Sequence, residues 1–141
     1  MKTTLTLIDK AFLLKKTAIF SSLDIDLLLT IADKMDVETY KKGSKIFQIG
    51  QDASRIYIVV EGSLHVKNKA DLLLAELVAL DFFGDEAVLG EKTRGYDVIC
   101  QSDLSLLSLT ATHLHAILME CPTVAASFLE AYASNCEFRK R

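Results

Sequence analysis

From Val37 to Leu109 the chain is written in short runs of β-branched, aromatic and leucine residues, cut at close intervals by Gly43, Gly50 and Gly62. Ile46-Phe47, Ile56-Tyr57-Ile58-Val59-Val60 and Leu64 with Val66 have the composition of strands, and the glycines supply the turns between them. Further strands are predicted over Leu72 to Val78, Tyr96 to Gln101 and Leu104 to Leu109, the last with serines alternating against leucines. Strands that follow one another at intervals of roughly 8 to 12 residues, with no helix between them, argue against βαβ units and for an antiparallel barrel or sandwich. The fold class expected is mainly β with flanking α-helices, an antiparallel jelly-roll-like β-barrel.

At both ends the hydrophobic period lengthens. Leu5, Ile8, Phe12, Leu13 and Leu14 recur at helical spacing with Asp9, Lys10, Lys15 and Lys16 between them, which predicts an amphipathic helix. Ser21 and Ser22 precede Leu23-Asp24-Ile25-Asp26, acidic residues suited to a first helical turn, and Leu27, Leu28, Ile31 and Met35 continue the stripe. From Thr112, Leu114, Ile117 and Leu118 mark a helix stopped by Pro122, and Val124, Phe128, Ala131, Tyr132 and Asn135 mark another. A chain of 141 residues has the length of one domain. Its expected layout is N-terminal helices over 1–35, the barrel over 36–110 and C-terminal helices over 111–141.

Composition narrows the function. Half of the residues are hydrophobic and a quarter charged, which is not the balance of a disordered chain. Sixteen basic residues against nineteen acidic ones give a net charge of −3 with no block of like charges, so nucleic acid is not the expected partner. The basic tail Phe138-Arg139-Lys140-Arg141 reads as positive charge at a helix C-terminus. Cys100, Cys121 and Cys136 are odd in number and lack C-x-x-C spacing, as reduced thiols of a cytoplasmic protein would be. No apolar run reaches the length of a signal peptide or a membrane span, and no membrane association is expected.

Catalytic patterns are lacking. His113 and His115 lie two apart, which on a helix points them about 200° apart, too far round to share a metal ion. No cysteine has a neighbouring base, and no Gly-x-Ser-x-Gly elbow occurs. The chain is not expected to be an enzyme or to carry a metal or cofactor.

The strand pattern breaks at Phe82-Phe83-Gly84-Asp85-Glu86-Ala87-Val88-Leu89-Gly90-Glu91-Lys92-Thr93-Arg94-Gly95-Tyr96. Asp85 to Leu89 reads as one helical turn opening after Gly84, followed by a loop and by Arg94 at the entry to the next strand. The free N–H groups of such a turn suit a phosphate, and an arginine supplies a two-pronged, charge-assisted contact. The alternatives are a surface arginine paired with Asp85, Glu86 or Glu91, and Asp85 as a helix-capping carboxylate. Tyr96 reads as packing in or beside the barrel, and Phe128 with Tyr132 as core.

These residues resemble a family. Phe83-Gly84-Asp85-x-Ala87-x-Leu89 followed by Arg94 is similar to the phosphate-binding cassette of cyclic nucleotide-binding domains, which runs Phe-Gly-Glu-x-Ala-Leu, a short loop, then Arg. Lys42-Gly43 to Gly50, Ile56 to Leu64, and Ile19-Phe20-Ser21-Ser22-Leu23 also fit the family's pattern in order, so that the likeness spans roughly residues 13 to 135. It implies a module that binds cAMP or cGMP and converts occupancy into movement of its terminal helices. By position, Gly84 and Asp85 meet the ribose 2′-hydroxyl, the Glu86 and Ala87 backbone the cyclic phosphate, and Arg94 its charge. Phe83 belongs to the same cassette, which occupies 83–95, and Gly95 and Tyr96 lie near the base. A hydroxyl at Gly95 is the feature associated with cGMP, so its absence favours cAMP.

The sequence departs from the family at Asp85 (usually Glu), Thr93 (commonly Pro), Gly95 and Tyr96 (usually small Ala, Ser or Thr) and Leu80 (a turn glycine). The alternative is therefore a ligand-silent relative that serves as an interaction or dimerisation subunit. In either case the expected effector is another protein chain, and a homodimer is one arrangement.

Overall fold

In the computed structural model, which describes residues 4–90 and 92–134, the central run folds into eight strands. These are β1 (Asp36–Tyr40), β2 (Lys45–Phe47), β3 (Arg55–Glu61), β4 (Leu64–Lys67), β5 (Leu73–Leu77), β6 (Phe82–Phe83), β7 (Asp97–Cys100) and β8 (Leu104–Thr110). They make two antiparallel four-stranded sheets, in the orders β1-β8-β3-β6 and β2-β7-β4-β5. Each sheet draws its strands from across the whole sequence, which is the interleaving of a jelly roll.

The expected closure into a barrel is not found. Among the described residues no ladder joins one sheet to the other, and the two face each other as a sandwich. The space between them is filled by Phe47, Tyr57 and Phe83, with Val59, Leu64, Val66, Val98, Leu104 and Leu106 around them. The Tyr57 and Phe83 rings are stacked with centroids 5.1 Å apart, and Phe47 lies tilted 6.0 Å from Phe83. These aromatics are the largest side chains of that core. On β3 and β8 both faces are buried, so Ile56 and Ile58, like Leu107 and Leu109, are as inaccessible as their inward-facing neighbours. That accounts for the continuous apolar run Ile56 to Val59, which does not alternate.

The β3–β4 turn depends on Gly62. Its φ is +98°, and a Cβ there would stand 2.4 Å from the Asp103 carbonyl oxygen, so any side chain forces the two turns apart.

Of the described residues, Thr4–Leu5 with Met35–Ala111 form one compact unit, and Thr6–Lys34 with Thr112–Ser134 form a second. In the helical unit, Thr6 and Asp9 make a reciprocal capping box at the start of α1 (Leu7–Lys15). Asp24 caps α2 (Ile25–Asp33) by accepting the Leu27 N–H at 2.9 Å. The predicted α1 stripe is only partly inward, since Ala11 and Leu14 are buried while Ile8 and Phe12 are exposed. α4 (Ala111–Glu120) is followed at once by α5 (Pro122–Ser134). Pro122 therefore both ends one helix and opens the next, where its missing N–H costs nothing. Asn135, Cys136 and the basic tail lie outside the described residues.

Among the described residues no helix is long and apolar enough to cross a membrane. Nor do three His, Cys, Asp or Glu side chains there converge into a metal site.

Candidate functional site

The interruption read in the sequence is β6, one residue in the left-handed region, then a single helical turn. Gly84 has φ +84° and sits at the N-cap of α3 (Asp85–Leu89). Glycine is required there twice over. Its backbone conformation disfavours other residues, and a Cβ would lie 2.9 Å from Arg94 Nη1 and 3.3 Å from the Arg55 carbonyl oxygen. The missing side chain is what lets the arginine approach.

Arg94 is only 4% exposed. It is not the surface arginine of the alternative reading. Nη1 donates to the Gly84 carbonyl and Nη2 to the Arg55 carbonyl, both at 2.7 Å. The guanidinium carbon stands 4.0 Å from the Phe47 ring centroid and 5.8 Å from that of Tyr57, in cation–π contact with the nearer face. Nε has no hydrogen-bond partner among the described residues. Burial pulls the guanidinium below its ordinary pKa, opposed by Tyr57, Tyr96 and Glu86. A buried cation satisfied by carbonyl dipoles is the group an anion would displace them for.

The loop that delivers Arg94 is held against residues 50–53. The Gly50 N–H donates to the Arg94 carbonyl, the Arg94 N–H to the Gln51 carbonyl, and the Ala53 N–H to the Lys92 carbonyl, each at 2.8 Å. An isolated bridge pairs Asp52 with Thr93. The main chain of Arg94 is thus fixed by the loop before β3, and its side chain by β3 itself and the α3 turn.

The predicted residues do not share one environment. Phe83 is a core residue, and its ring fills the sandwich. Asp85 is 3% exposed whereas Glu86 is exposed, so the two carboxylates that begin α3 point into different surroundings. Ala87 contributes backbone within α3. Gly95 is exposed, and a Cβ there would meet nothing within 4 Å. Tyr96 is half-buried beside Phe47, with centroids 5.6 Å apart. Its hydroxyl accepts the Gly84 N–H at 3.2 Å and donates to the Glu86 carboxylate. Burial first, then the Glu86 charge, raises the Tyr96 pKa, so the phenol remains a donor.

Sequence reasoning missed three contributors: the Phe47 ring and the Arg55 carbonyl at the guanidinium, and loop 50–53 at its backbone. Phe47 read only as a strand residue. No sequence spacing signals that a ring from β2 comes to lie under an arginine 47 residues later.

Residues 37–121 match the family model of the cyclic nucleotide-binding domain. Among curated proteins, the chain is 32% identical over 81 residues to a cAMP-dependent protein kinase regulatory subunit of Debaryomyces hansenii, covering 57% of this chain and 18% of that protein. It is 31% identical over 94 residues to the cGMP-dependent protein kinase egl-4 of Caenorhabditis briggsae, covering 63% and 13%. The chain therefore spans less than a fifth of the length of either relative. Among solved structures, the regulatory domain of Toxoplasma gondii PKA crystallised with cAMP superposes with a TM-score of 0.78 at 23% identity, over 89% of this chain and 48% of that one, a likeness of fold. With the family model matching more than half of its length, the chain belongs to the cyclic nucleotide-binding domain family.

Proposed function

We infer that this chain is a regulatory module that binds a cyclic nucleotide, takes cAMP in preference to cGMP, and passes occupancy to a partner chain through movement of its terminal helices. The observation that carries the reading is Arg94, a buried guanidinium held by carbonyl oxygens beside the α3 turn. A cyclic phosphate offers that cation an anionic partner in place of two neutral ones, together with the N–H groups of Glu86 and Ala87.

Gly84 and Asp85 are assigned to the ribose 2′-hydroxyl and Gly95 to the neighbourhood of the base. No hydroxyl at Gly95 rewards guanine, which favours cAMP. The work is binding rather than catalysis: ligand contacts that differ between two arrangements of the helices shift the population between them. The kinase regulatory subunit among its relatives suggests that the effector is another protein.

Thermal unfolding with cAMP, cGMP and 5′-AMP tests the reading. At 100 times its dissociation constant a ligand adds about 2.7 kcal/mol of stability. The expected result is a saturable rise in Tm with cAMP, a smaller one with cGMP at equal concentration, and none with 5′-AMP. No rise with either cyclic nucleotide at millimolar concentration rejects it in favour of the ligand-silent relative.

A further inference from the structure

Tyr96 stands where the family has a small residue, and its hydroxyl has a donor on one side and an acceptor on the other. It accepts a hydrogen bond from the Gly84 N–H, donates one to the Glu86 carboxylate, and is kept in place by its ring against Phe47. Accepting from a main-chain N–H while donating to a carboxylate is the pattern by which a protein recognises an alcohol. Gly84 is one of the two residues assigned above to the ribose.

We propose that Tyr96 is a specificity-determining residue, an internal occupant of the sugar-hydroxyl position that the 2′-hydroxyl of a ribonucleotide must displace and that a 2′-deoxy nucleotide leaves in place. The inference rests on the nucleotide-binding reading and extends it. A ligand bearing a 2′-hydroxyl exchanges one hydroxyl for another and gains little at Gly84, so the site discriminates poorly between ribose and deoxyribose. The phenol is held from two sides, at Gly84 and at Glu86, which makes it a persistent competitor. Removing only the hydroxyl vacates the Gly84 N–H and the Glu86 carboxylate without disturbing the ring on Phe47.

The test titrates wild type, Tyr96→Phe and Glu86→Gln with cAMP and 2′-deoxy-cAMP by calorimetry, and follows Gly84 amide exchange in the ligand-free proteins. Tyr96→Phe is expected to tighten cAMP roughly fivefold, the worth of one neutral hydrogen bond. It should leave 2′-deoxy-cAMP within about twofold, and Glu86→Gln should shift cAMP in the same direction by less. The Gly84 amide should exchange faster in Tyr96→Phe than in wild type. Equal cAMP affinity in wild type and Tyr96→Phe, equal tightening of both nucleotides, or an unchanged Gly84 exchange rate overturns the proposal while leaving nucleotide binding intact. Absence of binding by all three proteins overturns the nucleotide reading itself, and the competitor role with it.

Discussion

Arg94 is the buried cation beside the α3 turn, and its contacts bear on the stability of the fold. Because its guanidinium satisfies the Gly84 and Arg55 carbonyl oxygens in a buried position, Arg94→Ala leaves two acceptors without a donor and vacates the face of Phe47. Each buried unsatisfied group costs about 1–3 kcal/mol. With water entering the vacated space to take part of the load, the variant should lose about 2 kcal/mol in urea unfolding. A loss below about 0.5 kcal/mol would mean that the carbonyls do not depend on the arginine. The arginine stood out in the sequence because it follows a glycine and a helical turn at short range. Its partners did not, since Phe47 and Arg55 reach it only through the packing of β2 and β3.

Among the elements, the turn from β5 to β6 carries a local conflict. Leu80 has φ +78° at the position where the family places glycine, and its N–H is committed to the Val59 carbonyl at 2.8 Å. A left-handed conformation costs a non-glycine residue about 1–2 kcal/mol, part of which a glycine returns through its larger unfolded-state entropy. Leu80→Gly is therefore expected to stabilise by about 0.5–1 kcal/mol in chemical denaturation. Destabilisation of that size would show that the half-buried leucine side chain is worth more than the strain. Element identities were readable from composition and glycine spacing at β3, β4 and β8. They were less so at β6, two residues long, and at the α1 stripe, where Ile8 and Phe12 face outward. Helical periodicity says that one face is apolar; it does not say which part of that face finds a neighbour.

At the scale of the whole molecule, the interleaved strand order was legible as a jelly roll because strands followed strands. The open sandwich was not, since closure depends on whether edge strands meet, which no single strand's sequence encodes. Burial of phenols and a thiol in the β unit has a consequence for pH. Tyr40, Tyr57 and Tyr96 are all raised above their ordinary value near 10, in each case first by burial, and next by Glu38 for the first two and Glu86 for the third. The Cys100 thiol is raised above 9 by burial and then by Asp103. The unfolded chain gives up these protons at lower pH than the folded one, so stability is complete below about pH 9 and falls as pH rises beyond it. Tm should be level from pH 7 to about 8.5 and decline progressively above 10, with a shallower decline in Tyr40→Phe. A Tm that rises between pH 9 and 11 would contradict the assignment.

The central claim is that Arg94 exchanges its carbonyl partners for a cyclic phosphate. Calorimetric titration of cAMP into wild type and Arg94→Lys, with the fold of each checked by circular dichroism, tests it most directly. Lysine keeps the charge but not the paired donors, and a charge-assisted contact is worth about 1.5–3 kcal/mol. The account predicts one saturable site per chain in wild type and at least tenfold weaker binding in the variant. Indistinguishable affinities in two folded proteins would take Arg94 out of the site and contradict it.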